Sequence, residues 1–400
     1  MAPADRELPS SARTTRSPFV RLTELIAGVE PGKPPINLTL GEPQHPIPPF
    51  VGEAIARTLN QFGRYPATKG TERFRTAAAG WLERRFALRR PLDRESQLLS
   101  LNGTREGLFF AALTARDYIA KRVANPTILV PNPFYAAYVA GAVASGCEAV
   151  FLPAWRDKGF LPDLDALEPT LLDRTVAMYF GSPSNPQGAV ADLAYLKRLI
   201  GLARKHNFMV FSDECYSEIY TREKPHGMLE ACDGDYTNVV VFNSLSKRSN
   251  LPGLRVGLAV GDVRFMAKFL DYRNVVAPQV PMPLQEVAAA AFDDETHVEE
   301  NRRLYGIKFD LADQIVGDRY GYTRPAGGFF LWLDVSKYGG SEKAALKLWR
   351  EAGIRTLPGG YLAHDQADGR NPGADFVRIA MVQDQAVTAE ALHRIVDVLD

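Results

Sequence analysis

Ser244, Ser246 and Lys247 stand together in SLSKRSNLPGLR, and Arg255 follows the lysine by eight residues. They come directly after VVVFN, a run as apolar as a buried strand. A lysine amine can condense with an aldehyde, and a guanidinium fork beside hydroxyls suits phosphate oxygens. Other apolar runs end the same way. TILV leads to Tyr135 in PNPFYAAY, TVAMYF to Asn185 in GSPSNPQG, and FMVF to Asp213 and Tyr216 in SDECY. If these runs are parallel strands, their carboxyl ends share one rim, where α/β sheets gather ligands.

Taken singly, each residue has a plain structural explanation. Asp213 can cap a helix, NPQG can be a turn, Lys247 can be a solvated cation and Arg255 an ion-pair partner. Polar residues at the ends of several strands need a common reason. An imine-forming lysine with a carboxylate, a phenol, an amide, hydroxyls and an arginine matches pyridoxal phosphate. Asp213 would keep the pyridine nitrogen protonated, Tyr216 and Asn185 would hydrogen-bond the phenolic oxygen, and Tyr135 would stack on the ring. For the phosphate, Gly103, Thr104 and Arg105 open a helical pattern in LNGTREGLFFAAL. Free N–H groups and the helix dipole favour an anion there, with an ordinary N-cap at Asn102 or Thr104 as the competing explanation.

The elements that would position these residues follow from periodicity. From about residue 95 to 260, TILV, AVFLPA, TVAMYF, FMVFSDE, NVVVFNS and RVGLAVG alternate with helical patterns such as TREGLFFAALTARDYIAKRV and LAYLKRLIGLARKHN. Continuous apolar runs of this length predict a mainly parallel α/β sheet covered on both faces. The last hundred residues differ: a charged helical stretch, DDETHVEENRRLYGIKFDLADQIV, leads to GGFFLWLDV and DFVRIAMV, which are separated by a helix and a Gly-rich loop. That pattern predicts a smaller α+β domain. The expected division is a loose leader over 1–16, an arm over 17–45 that also belongs to the small domain, a large domain over 46–290 and the small domain over 291–400.

Composition narrows the function. The 400 residues carry 47 basic and 47 acidic side chains, so no net field exists to hold nucleic acid or an anionic membrane. No stretch is long and apolar enough to span a bilayer, and MAPADRELPSSARTTRS lacks the apolar core of a signal peptide, so a cytoplasmic protein is expected. Cys147, Cys215 and Cys232 form no C-x-x-C pair and no metal-ligand pattern; reduced thiols and no metal are expected.

NPQG, D-x-x-Y, and S-x-S-K followed eight residues later by arginine resemble the signature of class I/II aminotransferases of fold type I, in order and spacing over most of the chain. The resemblance implies a fold type I pyridoxal-phosphate-dependent transferase, with a mainly parallel seven-stranded sheet in the large domain and a smaller α+β domain. It implies ping-pong transfer of an amino group between an amino acid and a 2-oxo acid. Lys247 would carry the cofactor and move the α-proton, Asp213 would pair with the pyridine nitrogen, and Arg378 in DFVRIAMV would bind the substrate α-carboxylate. Asn185 and the backbone of Gly41 in LTLGEP would assist. A homodimer with shared active sites is implied, in which Tyr65 of YPATKG reaches the neighbouring cofactor phosphate.

Within that family, GEPQHPIP, SLSKRSNLPGLR and the MPLQ…DETHVEENRRLYGIKFD run resemble the proteobacterial N-succinyldiaminopimelate aminotransferases of lysine biosynthesis. That group reads GEPKHP, and Gln44 stands here in place of its lysine. The implied substrates are N-succinyl-LL-2,6-diaminopimelate and glutamate, with aspartate or aromatic (kynurenine-type) donors, or β-elimination, as alternatives. A ligand-sensing half of a transcription regulator ranks last, given the neutral charge and the few residues before SPFVRLTELIAG. Lys69, Arg73, Arg75 and Arg105 are candidates for a second anion site.

Overall fold

Val239 and Val241 face one apolar layer and Val240 and Phe242 the other, as successive side chains of a strand must. The same alternation runs through Met178 and Phe180 against Ala177 and Tyr179. A sheet apolar on both faces needs helices on both, and the computed structural model, which describes residues 16–400, has them. The leader expected over 1–16 lies outside the described residues except for Arg16.

The strands among the described residues, in chain order, are β1 (Ile36–Asn37), β2 (Leu98–Leu101), β3 (Thr127–Asn132), β4 (Glu148–Pro153), β5 (Thr175–Gly181), β6 (Met209–Asp213), β7 (Val239–Ser244), β8 (Gly257–Gly261), β9 (Phe330–Asp334), β10 (Ile354–Arg355), β11 (Leu357–Pro358) and β12 (Phe376–Ala380). Seven of them form one sheet in the order β2-β8-β7-β6-β5-β3-β4. Helices 72–85, 193–206 and 282–293 cover one face, and helices 104–119, 136–144 and 263–276 the other.

The sheet is mainly parallel, as expected, and the exception is β8, the RVGLAVG run, which is antiparallel to β7 and to β2. The tight SLSKRSNLPGLR connection explains this, since so few residues can reverse the chain but cannot carry it back for a parallel crossover. LLSL, which was absent from the alternating series, forms the edge strand β2 because its four buried residues pair with β8. The helix expected to run to Val123 ends at Ile119, where Ala120 takes a left-handed conformation.

The C-terminal part builds a separate antiparallel sheet, β11-β12-β9, with a core of its own that includes Tyr305, Phe329, Leu333, Leu348, Ile379 and Ile395. Helices 296–315, 341–352 and 385–399 pack on it. The loop between GGFFLWLDV and DFVRIAMV holds two further short strands, β10 and β11. The N-terminal arm joins this part: β1 pairs in parallel with β10 at Ile36↔Ile354, and Leu22 packs with Trp332, Leu357 and Phe376. Among the described residues no helix is long and apolar enough to cross a membrane.

Candidate active site

The carboxyl ends of β3, β5, β6 and β7 and the helix that follows β2 meet at one rim, with the β7–β8 loop closing it. Asp213 ends β6 and is half-buried. Its Oδ2 accepts a hydrogen bond from the Tyr138 hydroxyl at 2.8 Å, and its Oδ1 accepts from the Cys215 amide at 3.2 Å. Neither bond neutralises the carboxylate, which stays open to one more cationic or N–H donor. Tyr138 was not singled out from sequence, although FYAAY sets it one helical turn beyond Tyr135; the two rings meet edge-on at 5.6 Å. Burial, with Asp213 beside it, pushes the Tyr138 phenol well above its usual pKa, so it remains a donor.

Tyr135 precedes the 136–144 helix and accepts a hydrogen bond from Arg105 Nε. Arg105 thus reaches the rim, though on the phenol of Tyr135. Gly103 precedes the 104–119 helix with φ +79°, a conformation that favours glycine. A Cβ there would lie 2.1 Å from Nη2 of Arg255, so only glycine admits the guanidinium at this helix N-terminus. Gly257 is equally confined, its Cβ position lying 2.8 Å from the Asn243 carbonyl and 3.1 Å from Thr104 Cγ2. Ser244 accepts from the Ser246 amide at 3.1 Å, and its hydroxyl lies 3.0 Å from that of Ser246. Thr104 Oγ1 lies 3.3 Å from the Cys215 sulfur, joining this cradle to the Asp213 segment. Helix N-terminus, paired hydroxyls and guanidinium together make a phosphate-sized anion site.

Lys247 sits in the single-turn helix Leu245–Arg248. Its Nζ donates to the Gly41 carbonyl and lies 5.3 Å from the Phe329 ring and 5.9 Å from that of Tyr216. Burial first, and then the cations of Arg378 and Arg255, pull its pKa down to about 8. A lysine so tuned is a free amine in a sizeable fraction near neutrality, whereas an exposed one is not. The apoprotein should therefore capture an aldehyde cofactor faster as pH rises from about 7 to about 9, since the neutral amine is the reactive form. Stopped-flow absorbance would show a rate that climbs through about pH 8; a rate that rises only above about pH 10 would contradict the depressed pKa.

Arg378 lies mid-strand in β12, opposite Trp332 on β9, and is only 5% exposed. Nη1 donates to Asn185 Oδ1 at 3.1 Å, Nη2 donates to the Thr39 carbonyl at 2.7 Å, and Nε, also buried, has no partner among the described residues. A buried guanidinium with donors to spare and no carboxylate beside it is suited to an anionic ligand. Burial lowers its pKa to about 10, which leaves it cationic at neutral pH. Phe330 lies under the guanidinium at 4.3 Å, and a Cβ on Gly41 would come within 2.5 Å of the same ring, so Gly41 is a close-packed position. Thr39 and Phe330 were not foreseen; nothing in their spacing marks them.

Tyr65 is 97% exposed. Of the four candidates for a second anion site, Arg73 pairs with Asp293, and Lys69 and Arg75 both pair with Glu95. The fourth, Arg105, is the one at the rim. The donor set fits pyridoxal phosphate: an amine held at low pKa, a carboxylate with an unspent oxygen lone pair, stacking phenols, and an anion cradle where glycine makes room. Among the described residues no cluster of His, Cys, Asp and Glu could hold a metal.

The chain matches the family described as Aminotransferase class I and II over residues 33–395. An aminotransferase of Neisseria meningitidis shares its structure with a TM-score of 0.90 at 37% identity, covering 96% of this chain and 97% of that one. An LL-diaminopimelate aminotransferase of Nitratidesulfovibrio vulgaris is 30% identical over 369 residues, 90% of each chain. A probable N-succinyldiaminopimelate aminotransferase of Thermus thermophilus is 26% identical with a TM-score of 0.81, covering 96% of this chain and all of the other, 100%.

Proposed function

The chain belongs to the class I and II aminotransferases, a pyridoxal-phosphate-dependent family, and on that premise we propose that it transfers the amino group of a diaminopimelate-type donor to a 2-oxo acid, with Lys247 as the base. The observation that carries the proton-transfer role is the buried Lys247 amine, poised at a pKa near 8 between Gly41, Tyr216 and Arg378.

When bound, pyridoxal phosphate supplies an electron sink for the charge left at the donor α-carbon. Asp213, steered by the Cys215 amide and the Tyr138 hydroxyl, would hold the proton on the ring nitrogen that this sink requires. Gly103, Thr104, Ser244, Ser246 and Arg255 hold the phosphate. Asn185 and Tyr216 would act on the cofactor's phenolic oxygen, and Asn185 also orients Arg378. The largely buried guanidinium of Arg378 binds the α-carboxylate. With the substrate so clamped, Nζ of Lys247 takes the α-proton as a general base whose pKa lies near the working pH. Tyr65 serves the site of a second copy of the chain, in a homodimer.

The names of the Nitratidesulfovibrio and Thermus relatives support a diaminopimelate-type donor, free or N-succinylated. A panel of half-reactions tests it: holoenzyme, no oxo acid, one amino donor at a time, with loss of the visible cofactor band as the signal. The expected result is conversion by LL-diaminopimelate or its N-succinyl derivative and by glutamate, and little by aspartate or aromatic amino acids. Fast conversion by aspartate or an aromatic donor alone would keep the aminotransferase and discard this substrate class. Release of pyruvate without an oxo acid would mark β-elimination instead.

A further inference from the structure

One face of the 296–315 helix is polar, buried and turned toward Lys247. His297, Asn301, Tyr305 and Lys308 recur on it at helical spacing, and the last three are 2%, 1% and 2% exposed. Asn301 Nδ2 donates to the carbonyl of Lys247 at 3.2 Å. The lysine's own helix is a single turn, too short to satisfy that carbonyl, so the bond fills a place the local backbone leaves open. Asn301 Oδ1 lies 2.6 Å from His45 Nδ1. An amide that donates through Nδ2 can only accept at Oδ1, which fixes the proton of His45 on Nδ1. Burial lowers the His45 pKa and favours that neutral ring.

Both ends of Lys247 are therefore tied to one loop. Its amine donates to the Gly41 carbonyl, and its peptide carbonyl is reached from His45 through Asn301; Gly41 and His45 belong to the same GEPQHP segment. The His45 ring rests on Tyr305 at 4.5 Å, and Tyr305 rests on Phe329, the ring beside the amine, at 5.3 Å. One turn back on the same helix, His297 Nε2 lies 2.9 Å from Ser249 Oγ and Nδ1 lies 2.5 Å from Asp294 Oδ2. The order Ser–His–Asp is that of a hydrolytic triad, but Ser249 is 0% exposed and no ester could reach it. These bonds instead tether the residues that follow the lysine.

We propose that Asn301 and His45 are positioning residues for Lys247, forming a hydrogen-bonded link through which the 41–46 loop sets the orientation of the amine. The proposal rests on the reading of Lys247 as the base. Lys308 donates to the Val382 carbonyl, which ties the far end of the same face to the β12 segment bearing Arg378.

The test uses holoenzyme and single-turnover half-reactions with the donor that the panel identifies. The variants are Asn301→Ala, His45→Phe, which keeps a ring on Tyr305 but lacks the N–H, His45→Asn, which restores a donor near Nδ1, and the Asn301→Ala/His45→Phe double variant. The expected result is that Asn301→Ala and His45→Phe each slow the half-reaction roughly tenfold with donor KM changed less than about twofold, all variants keeping the visible cofactor band. The double variant should be no slower than Asn301→Ala, and His45→Asn should recover most of the rate. Rates that multiply in the double variant, rates equal to wild type, or losses that only track a lost band and a lowered Tm would each overturn the link. A wild-type protein that shows no half-reaction with any donor would overturn the functional reading, and the link with it.

Discussion

Replacing Lys247 with alanine is expected to slow amino transfer by at least ~10²–10⁴-fold, the contribution of one positioned acid–base group. The amine sits between the Gly41 carbonyl and the Phe329 and Tyr216 rings, and neither the carbonyl nor the rings can accept a proton in its place. Alanine leaves the phosphate cradle and Asp213 intact, so the variant should still bind the cofactor non-covalently, with a shifted visible band. A small primary amine added to the buffer should restore part of the rate, because the missing group is a base and not a scaffold. An alanine variant with most of its turnover would remove the lysine from the mechanism.

Arg378→Leu is expected to lower kcat/KM roughly 10²-fold or more for donors bearing an α-carboxylate, the scale set by ~3 kcal/mol for one partner of a buried charged pair. The side chain is 5% exposed and its Nε has no partner among the described residues, so a buried donor is left for the carboxylate. Arg378→Lys should recover only part of the loss, since one ammonium cannot reproduce a fork aimed by Asn185 and Thr39. The comparison that decides is a donor against the same amine without its carboxylate: the variant should lose its preference between them. A preference kept at the wild-type ratio would place carboxylate recognition elsewhere.

Much of this site is legible in the sequence because it hangs on strand ends. Asp213, Ser244 and Asn185 lie at or just past the last residues of apolar runs, and a parallel arrangement brings such ends together whatever the helices between them do. The antiparallel β8 is less legible, since an apolar run looks the same in either direction and only the short β7–β8 connection hints at its sense. Contacts made by the far half of the chain are not legible at all. Tyr138 shares a helical turn with Tyr135 and was within reach, but Thr39 on Arg378 spans 339 positions and Asn301 on Lys247 spans 54, and no periodicity relates them. Asn301 and His45 read as ordinary polar residues until the fold lays one helix face behind the lysine loop.

The carboxylate clamp comes from β12, and that position has a consequence in time. Lys247 leaves the ribosome 131 residues before Arg378, from the difference 378 − 247. At roughly 5–20 residues per second, that separation lasts on the order of ten seconds. The segments bearing the lysine, the aspartate and the anion cradle have by then been synthesised, whereas β12 has yet to be laid between β9 and β11. In that interval the chain holds the lysine, the aspartate and the anion cradle but lacks the guanidinium that selects amino acids by their carboxylates. The residues for the cofactor and the residue for the substrate carboxylate thus reach the folding chain at different times, set by the direction of translation.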